Sequence, residues 1–585
     1  MIEPSHGSND TSSMSDRARA WGVVPQYFGY TGQTVTASPA AAEALLTALG
    51  ARTERPPRIQ PYLLPDGPCA PAPERAWGWA VQLYALRSRD SWGVGDFSDL
   101  RRFGRWARRQ GASVTLLNPL GAQVPTPPYQ PSPYYSSTRR FLNVVYLRVE
   151  EVSGAERCAS EIETLRRAAQ TLNAKRLIDY DQVFELKSKA LELIYAAAPN
   201  PRGLPSWVRQ EGDALRDLAT FNALAETLGP AWRNWPEGLR RPDGIEVESR
   251  RRRLHERIAF HQWLQFHADR QLERASAEIG LIADVPLGFA SDGFDAWRWQ
   301  GLLAPDMRVG APPDEFFQDG QDWGVPALDP WKLRASRCAP FVEAIRTAGR
   351  HAAGVRLDHV MSLFRLFWIP TGMAASQGVY VRYPANQLLA VLADESRRAN
   401  AFVVGEDLGL VEPSVRRRLH ARNALSFRLL WFERSTPGRW PRDAVAAVST
   451  HDLPTVAGIW NLTEPEHRLH GLRQRLVDVT RAPEGTPALE VAMRAYRVLA
   501  RTRSRIVLAS LEDALGVEAR PNVPGTTTEF PNWRLALPIP LEEIERSVGP
   551  RRIATVMRRA GRALSRTRSN SREKLDAMEA STIRA

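Results

Sequence analysis

Short apolar runs of the length of a β-strand recur along this chain from about Trp77 onward. Each run is followed by polar or glycine residues and then by a stretch with the apolar spacing of a helix. The runs are continuous rather than alternating, which is the pattern of strands buried on both faces. Strands that alternate with helices in this way predict a parallel sheet. The runs are Ala80–Leu86, Ser113–Leu117, Leu281–Ala283, Val355–Leu357, Phe402–Val404, Ser426–Trp431 and Ala444–Val448.

Polar or acidic side chains follow most of these runs directly. Side chains gathered at the carboxyl ends of parallel strands form the active site of a (β/α)8 barrel, although a doubly wound sheet places its ligands similarly. The number of runs, and the lack of a glycine-rich nucleotide turn, favour the barrel. The predicted fold class is therefore α/β, a (β/α)8 TIM barrel with inserted, largely helical subdomains. The residues at the run ends are Asn118, Asp284, Asp358, Glu406, and His451 with Asp452.

Local signals divide the chain further. Ser38 can cap a helix that Gly50 closes, and proline-rich sequence follows at residues 56–73. The expected organisation begins with a disordered N-terminus over residues 1–17, followed by a small helical region with a proline-rich linker over 18–75. A catalytic barrel follows over 76–545, and it includes a helical insertion at about 155–280 and an active-site loop at about 301–335. A basic tail is expected over 546–585.

Charge changes this picture little. The chain has 585 residues and a formal net charge of +13, and its last 35 residues carry ten Lys or Arg against three Asp or Glu, hence +7 of the +13. A basic tail can bind nucleic acid, but a solvated basic end is the better interpretation because no recognition motif accompanies it. A nucleic-acid partner is therefore not expected.

Cysteine usage and missing motifs narrow the class of protein. The three cysteines are far apart and form no CxxC, which argues against a disulfide framework or a zinc site and suits a reducing compartment. The polar N-terminus has no apolar signal region, and no apolar run has the length of a membrane span. The sequence also lacks GxxxxGK[ST], HExxH and GxGxxG motifs. We expect a cytoplasmic protein with no cofactor and no metal.

The segment Arg356-Leu357-Asp358-His359 carries the candidate chemistry. On a strand, Arg356 and Asp358 point to the same side, and a guanidinium next to a carboxylate favours its ionised form and lowers its pKa. An ionised carboxylate is what a nucleophilic aspartate requires. Alone, an Arg-x-Asp pair is more often a structural ion pair, so the hypothesis depends on the acids elsewhere in the chain.

Two further acids complete a possible set. Glu406 follows an apolar run and has Asp407 beside it, so burial and a like charge can raise its pKa as a general acid requires. Two carboxyl groups, one ionised and one protonated, are the minimum for retaining glycoside chemistry. In such a site Asp452 could hold sugar hydroxyls. Taken singly, each acid is more often a salt bridge or a helix cap. His359 and His451 suit a buried core imidazole or a sugar-binding donor about equally.

At these residues the chain resembles glycoside hydrolase family 77, the 4-α-glucanotransferases of the amylomaltase (disproportionating enzyme) type. The resemblance runs from about Trp77 to Arg534, with a weaker echo at Trp21–Gly50. The number, order and spacing of its motifs make the joint resemblance specific. They are QLYALRSRDSWGVGDFSDL (82–100), SPYYSS (132–137), ADVPLGFASDGFDAW (283–297), GAPPDEFFQDGQDWG (310–324), RLDH (356–359), WIPTG (368–372), GEDLG (405–409), THDLPT (450–455) and NVPGT (522–526).

The resemblance implies a role for each candidate residue. Asp358 would be the nucleophile, Glu406 the general acid/base and Asp452 the stabiliser of the transition state. One departure stands out, because many members have asparagine after that aspartate where this chain has Leu453. The departure leaves the three acids intact but affects the acceptor site or the turn. The implied substrate-binding residues are Arg356, His359, His451, Asp284, Tyr134, Trp323 and Asp314.

The implied reaction is a retaining double displacement, for which two carboxyl groups about 5–5.5 Å apart are expected. The 4-hydroxyl of a second glucan, rather than water, would resolve the covalent intermediate. The partners would then be an α-1,4-glucan donor and a glucose or maltooligosaccharide acceptor. Two alternatives stay open: a retaining α-glucan hydrolase of the amylase or glucosidase type, and a catalytically inactive glucan-binding protein. The oligomeric state is not predicted.

Overall fold

The computed structural model describes residues 16–60, 62, 64–314, 317–409, 411–463 and 470–563. Eight parallel strands, numbered β1 to β8 along the chain, pair each with the next, and β8 pairs with β1 to close a barrel. Six of the seven apolar runs coincide with a strand, and the run Ala80–Leu86 overlaps only the end of β1, since Leu83–Ala85 is a 3-10 helix. The eighth strand was not predicted. The strands are Ala76–Val81, Val114–Leu117, Gly280–Val285, Gly354–Leu357, Phe402–Gly405, Leu425–Leu429, Ala444–Ala447 and Ile506–Ser510.

Helices follow strands β1 to β5, β7 and β8, as a (β/α)8 barrel requires. The first of them begins with a reciprocal capping box, in which Asp96 accepts from the Asp99 N–H group and Asp99 accepts from the Asp96 N–H group. The predicted fold class is confirmed. These helices are Phe97–Arg109, His255–Ser276, Ala339–Gly349, Ala385–Ala399, Pro413–His420, Ala488–Ala500 and Val548–Arg559.

The barrel has two apolar layers. Side chains such as Val114, Ile282, Val404 and Leu508 fill its interior, and the opposite faces of the strands pack against the surrounding helices. Burial on both faces explains the continuous apolar runs. Among the described residues, no helix combines the length and the apolar character needed to cross a bilayer. Further helices outside the insertion are Phe294–Arg298, Val456–Trp460, His470–Thr480, Leu511–Leu515 and Leu541–Ile544.

The helical insertion lies between β2 and β3. It ends earlier than the expected boundary near residue 280, because the last helix of that region, His255–Ser276, packs on Phe97–Arg109 as part of the barrel. The helices of the insertion proper are Ala159–Gln170, Tyr180–Ala197, Leu204–Leu228 and Ile245–Arg253.

The expected active-site loop at 301–335 is a β-hairpin followed by the helix Pro330–Ala335. The hairpin belongs to a five-stranded antiparallel sheet beside the barrel, which the sequence analysis did not predict. Proline and charged residues interrupt the apolar alternation of these strands, which hides the strand signal. In spatial order the five strands are Val23–Val24, Val379–Arg382, Arg365–Pro370, Leu303–Ala311 and Gln321–Leu328.

The N-terminal region is not purely helical. The helix Pro39–Ala48 is capped by the Ser38 hydroxyl, as predicted, and Gly50 adopts a left-handed conformation at its end. Besides this helix, the region contains the short antiparallel pair Gln26–Phe28 and Thr34–Thr36 and the strand that joins the five-stranded sheet. The expected disorder over residues 1–17 falls almost wholly outside the described residues.

The expected basic tail begins later than residue 546. The helix Val548–Arg559 packs against Ala488–Ala500 on the outside of the barrel. Beyond it, the buried Arg562 guanidinium donates to the carbonyl groups of residues 76, 500, 502, 504 and 505. Because residue 76 begins β1 and residue 505 precedes β8, Arg562 ties together the two strands that close the barrel. Residues 564–585 lie outside the described part of the chain.

Candidate active site

The polar side chains predicted at the strand ends meet at one end of the barrel. Asp284 is the penultimate residue of β3, Asp358 directly follows β4 and Glu406 directly follows β5. His451 and Asp452 come shortly after β7. The carboxyl ends of parallel strands face the same side of a barrel, so these residues share one cleft.

Arg356 is the cation at the centre of this cleft. In β4 it lies opposite Asp284 in β3, and its Nη1 atom binds the two oxygens of that carboxylate at 2.7 and 2.8 Å. The same Nη1 atom binds Oδ1 of Asp358 at 3.2 Å. Arg356 is only 4% exposed, and the Phe427 ring lies beneath its guanidinium. Arg356 therefore shares its charge between two carboxylates, and Asp284 is the nearer.

Asp358 and Glu406 lie opposite each other on neighbouring strands. Gly405 of β5 pairs with Leu357 of β4, so the next residue on each strand is also paired. The Glu406 N–H group donates to the Leu357 carbonyl at 3.0 Å, which continues the ladder. Neighbouring strands lie about 4.8 Å apart, which is compatible with the short carboxylate separation of a retaining mechanism.

Backbone N–H groups fix the Glu406 carboxylate. Oε2 accepts from the His359 N–H group at 2.9 Å, and Oε1 accepts from the Leu408 N–H group at 2.7 Å. His359 has a φ of +45°, a left-handed conformation that is uncommon outside glycine. That conformation directs the His359 N–H group at Glu406. The strand turn after Asp358 thus orients the acid on the neighbouring strand.

Burial controls the protonation of the two acids. Burial raises the pKa of Asp358 to about 6, the charges of Asp284 and Glu406 add to this, and Arg356 counteracts it only in part. The expectation that Arg356 leaves this pKa low is therefore wrong, because desolvation outweighs one shared cation. Burial also raises the pKa of Glu406, with a contribution from Asp407, in the predicted direction.

Asp452 stays ionised by contrast. Burial alone would raise its pKa, but His451 and Asn522 outweigh burial, and the net effect lowers the pKa. His451 Nε2 lies 3.1 Å from Oδ2, and Asn522 Nδ2 donates to Oδ1 at 2.6 Å. Arg520 donates to the Asp452 carbonyl at 3.0 Å. Leu453, in place of the family's asparagine, packs its side chain against the apolar core.

Aromatic rings line one wall of the cleft. The Tyr134 hydroxyl donates to Oδ2 of Asp284 at 2.6 Å, and its ring stacks on His451 with centroids 4.8 Å apart. Trp533 packs on both rings, at 5.2 Å from Tyr134 and 5.1 Å from His451. The pKa of His451 is raised in this setting: burial lowers it, but the neighbouring Asp452 carboxylate outweighs burial.

The hairpin after β3 forms the opposite side. Trp323 packs edge-on against His359 with centroids 5.3 Å apart. Asp314 lies at the hairpin turn, where its carboxylate accepts from the Phe317 N–H group at 2.7 Å. The turn reaches Gly525, because a β-carbon placed there would lie 3.4 Å from the Phe317 ring. The hairpin therefore reaches the loop that carries Asn522. Trp323 thus packs against His359 of the site, whereas Asp314 lies in the hairpin turn.

A small cavity of about 50 Å³ lies beneath the carboxylates inside the barrel. Asp284, Arg356 and His451 border it, and so does Glu512 in the short helix Leu511–Leu515 that follows β8. Burial raises the pKa of Glu512 to about 7. Asn118 also borders the cavity, where its Oδ1 atom accepts from the Leu83 N–H group. Within the described ranges, no group of three His, Cys, Asp or Glu side chains has the spacing of a metal site.

Three residues of the site were not predicted from the sequence: Arg520, Asn522 and Trp533. Asn522 lies in a motif that the sequence analysis quoted, but its role depends on a contact with Asp452 across 70 residues. Trp533 lies within a turn, in the short sequence Pro531-Asn532-Trp533, and its residue type is the signal that the sequence offers. Most tryptophans are core residues, so that signal alone is weak.

Comparison with known proteins agrees with this geometry. A family model described as 4-alpha-glucanotransferase, glycoside hydrolase family 77, matches residues 81–541. A 4-alpha-glucanotransferase of Mycobacterium tuberculosis is 40% identical over 532 residues, covering 81% of this chain and 73% of that protein. The corresponding protein of Haemophilus influenzae is 30% identical, covering 80% and 76%.

Solved structures show the same fold. Amylomaltase from Corynebacterium glutamicum superposes with a TM-score of 0.81 at 25% identity, covering 94% of this chain and 99% of that one. Amylomaltase from Streptococcus agalactiae gives a TM-score of 0.71 at 20% identity, covering 84% and 100%. On the family model and the relatives together, the chain belongs to glycoside hydrolase family 77, the 4-alpha-glucanotransferases.

Proposed function

We propose that this protein transfers segments of α-1,4-glucan from a donor to the 4-hydroxyl of glucose or a maltooligosaccharide. One observation carries the proposal: Asp358 and Glu406 directly follow adjacent parallel strands, with Arg356 bound to Asp358, in a chain of this family. A retaining double displacement needs two carboxyl groups in this relation.

In the first step Asp358 acts as the nucleophile. With a pKa of about 6 it is mostly ionised at neutral pH. A carboxylate oxygen of Asp358 attacks the anomeric carbon, and Glu406 gives its proton to the glycosidic oxygen. The glycosidic bond breaks, an ester bond forms between Asp358 and the sugar, and the shortened glucan leaves.

In the second step Glu406 acts as the base. Its carboxylate takes the proton of the acceptor 4-hydroxyl, whose oxygen attacks the anomeric carbon and releases Asp358. Asp452 holds sugar hydroxyls and stabilises the positive charge that develops on the ring. Its lowered pKa keeps it ionised for this role. Asp284, Arg356, His359, His451 and Tyr134 bind the sugar or hold these carboxylates.

Transfer rather than hydrolysis requires that the bound acceptor reaches the intermediate before water does. The hairpin that carries Trp323 and Asp314 supports this, because its turn reaches Gly525 in the loop whose Asn522 binds Asp452. We propose that these two segments position the acceptor glucan and exclude bulk water.

Incubation of the purified protein with maltotriose tests the proposal. A ladder of longer maltooligosaccharides together with free glucose is the expected result. Glucose and maltose without longer products would favour a retaining α-glucan hydrolase. No reaction, combined with retained binding of maltooligosaccharides, would favour an inactive glucan-binding protein.

We also propose that the enzyme works in the cytoplasm. The cysteines Cys69, Cys158 and Cys338 are all free thiols, which suits a reducing compartment. Fractionation of the source cells, with activity towards maltotriose as the marker, tests this location.

A further inference from the structure

Trp533 forms the back wall of the sugar-facing side chains His451 and Tyr134. Its ring centroid lies 5.1 Å from the first and 5.2 Å from the second. Trp533 is only 5% exposed, so a glucan in the cleft meets His451 and Tyr134 in front of it. The Trp533 ring therefore acts on the site through these two rings.

The backbone of Trp533 is in an unusual conformation. Its φ of +61° is rare for a bulky side chain and persists only where the surroundings hold it. The Trp533 N–H group donates to the Pro521 carbonyl at 3.0 Å. Its carbonyl accepts from the Tyr180 hydroxyl at 2.8 Å. Contacts on both sides of the residue thus fix the direction of its ring.

Tyr180 belongs to the helical insertion, as the first residue of the helix Tyr180–Ala197. The segment just before it pairs with the segment after Trp533. The Ile178 N–H group donates to the Arg534 carbonyl at 2.8 Å, and the Ala536 N–H group donates to the Arg176 carbonyl at 3.0 Å. The insertion is therefore joined to the backbone on which Trp533 lies.

Asn532 connects the same segment to Asp452. Its Oδ1 atom accepts from the Val523 N–H group at 2.8 Å, and its Nδ2 atom donates to the Thr526 carbonyl at 2.9 Å. The loop held in this way carries Asn522, which donates to Asp452. Neighbouring residues 532 and 533 thus hold both members of the His451–Asp452 pair.

We propose that Trp533 is a positioning residue for the His451–Asp452 pair, and that the helical insertion holds Trp533 in place through Tyr180. The proposal rests on the proposed function, in which His451 and Asp452 bind the reacting sugar. An aromatic face also favours the protonated imidazole, so loss of the ring lowers the pKa of His451. The charged and titratable groups that face His451 are Asp452, Tyr134, Asp284, Arg356, Asp358 and Glu512.

Four full-length variants test the proposal. Trp533→Leu removes the aromatic face, whereas Trp533→Phe keeps most of it. Tyr180→Phe removes only the hydroxyl that holds the Trp533 carbonyl. Tyr129→Phe is the matched control, because Tyr129 is buried in contact with Tyr180 and its hydroxyl binds Asn143 instead.

Two measurements are made on each variant. The first is kcat and KM for maltotriose. The second is the titration of His451, followed by NMR of 13C-labelled histidine and assigned with His451→Gln. We expect Trp533→Leu to lower kcat about tenfold with KM changed less than twofold. The pKa of His451 should fall by about half a unit. Trp533→Phe should recover most of both, Tyr180→Phe should show a smaller loss of both, and Tyr129→Phe should match the wild type.

A kcat and a His451 titration unchanged in Trp533→Leu would overturn the role of Trp533. Tyr180→Phe indistinguishable from Tyr129→Phe would overturn the role of the insertion. A purely structural role would lower the melting temperature without moving the His451 titration. If the wild type does not act on maltotriose, the proposed function fails, and the NMR titration still decides whether Trp533 controls His451.

Discussion

Arg356 binds Asp284 more closely than it binds Asp358: its Nη1 atom lies 2.7 and 2.8 Å from the two oxygens of Asp284 and 3.2 Å from Asp358. The guanidinium is thus mainly the partner of a buried carboxylate that takes no covalent part in the proposed reaction. Asp284 restrains the cation, and the candidate nucleophile receives the weaker share of its charge.

Arg356→Met should therefore lower both the stability of the protein and the ionised fraction of the nucleophile Asp358. The buried Asp284 carboxylate loses its cation, and so does the half-buried Asp358 carboxylate. Breaking a buried ion pair costs about 3–5 kcal/mol in the free energy of unfolding. The pKa of Asp358 should rise further above 6, so the acid limb of the activity profile should move to higher pH. Chemical denaturation and a pH profile of kcat/KM measure the two effects. Arg356→Lys keeps the charge and should shift the acid limb less; an equal shift in both variants would contradict the argument.

Loss of either paired acid should stop transfer without unfolding the protein. Asp358→Ala should give no product ladder from maltotriose, and Glu406→Gln should lower kcat about 10²–10⁴-fold. An activated donor such as α-maltosyl fluoride should restore the first step in Glu406→Gln, because its leaving group needs no proton.

Glu412→Gln is the matched control for the second variant, since Glu412 is exposed and pairs with Arg365 at the surface. It should retain wild-type activity. Near-normal transfer by Asp358→Ala or Glu406→Gln would show that the proposed roles are wrong.

The activity should show a bell-shaped dependence on pH. Asp358 must be ionised, and its pKa of about 6 means that activity falls as the pH drops through 6. Glu406 must be protonated in the first step, and its pKa is raised by burial, so activity falls again as the pH rises above that pKa. Measurement of kcat/KM between pH 4 and 9 checks both limbs. Constant activity down to about pH 4 would show that Asp358 is not the group that must ionise.

Asn522→Ala should weaken catalysis through Asp452. The lost hydrogen bond to an ionised carboxylate is worth about 1.5–3 kcal/mol, which corresponds to about a 10- to 150-fold fall in kcat/KM. Asn461→Ala is the control, because Asn461 makes a similar bond to Glu518 at the surface. Equal kinetics in the two variants would remove Asn522 from the site.

Arg562→Met should destabilise the barrel although it lies far along the chain from the acids. Each carbonyl group that it binds at the barrel closure would lose a donor, although those of residues 500, 502 and 505 keep a second one from Arg75 or the Ala76 N–H group. We therefore expect a loss of about 1–3 kcal/mol in the free energy of unfolding. Arg559→Met, at an exposed position of the preceding helix, should be neutral. Removal of residues 564–585 should also leave the melting temperature unchanged. A large fall in the melting temperature of that variant would show that Arg562 is not the last residue needed to hold the barrel closed.

The sequence allowed the barrel and its acids to be predicted because both depend on local pattern. Seven strands are short buried runs, and Asp358 and Glu406 directly follow two of them. The eighth strand, Ile506–Ser510, was missed because its apolar residues run directly into those of the following helix, Leu511–Leu515. The five-stranded sheet was missed because its hairpin strands contain proline and charged residues.

Other features depend on contacts that no local pattern records. The direction of the Asp358 pKa follows from the sum of burial, Asp284 and Glu406 acting against one shared arginine. Trp533 acquires its position from Tyr180, more than 350 residues earlier in the chain. Family resemblance supplied Tyr134 and Trp323, whose packing against His451 and His359 only the assembled structure displays.

The position of Arg562 has a consequence for the order of folding. The arginine that joins the last strand of the barrel to the first lies 486 residues after Ala76, the residue that begins the first strand. Until these segments dock, the barrel is open, and the edges of β1 and β7 offer unpaired backbone groups to other chains. Barrel closure is therefore a long-range step, and the partly folded chain is open to association until that step is complete.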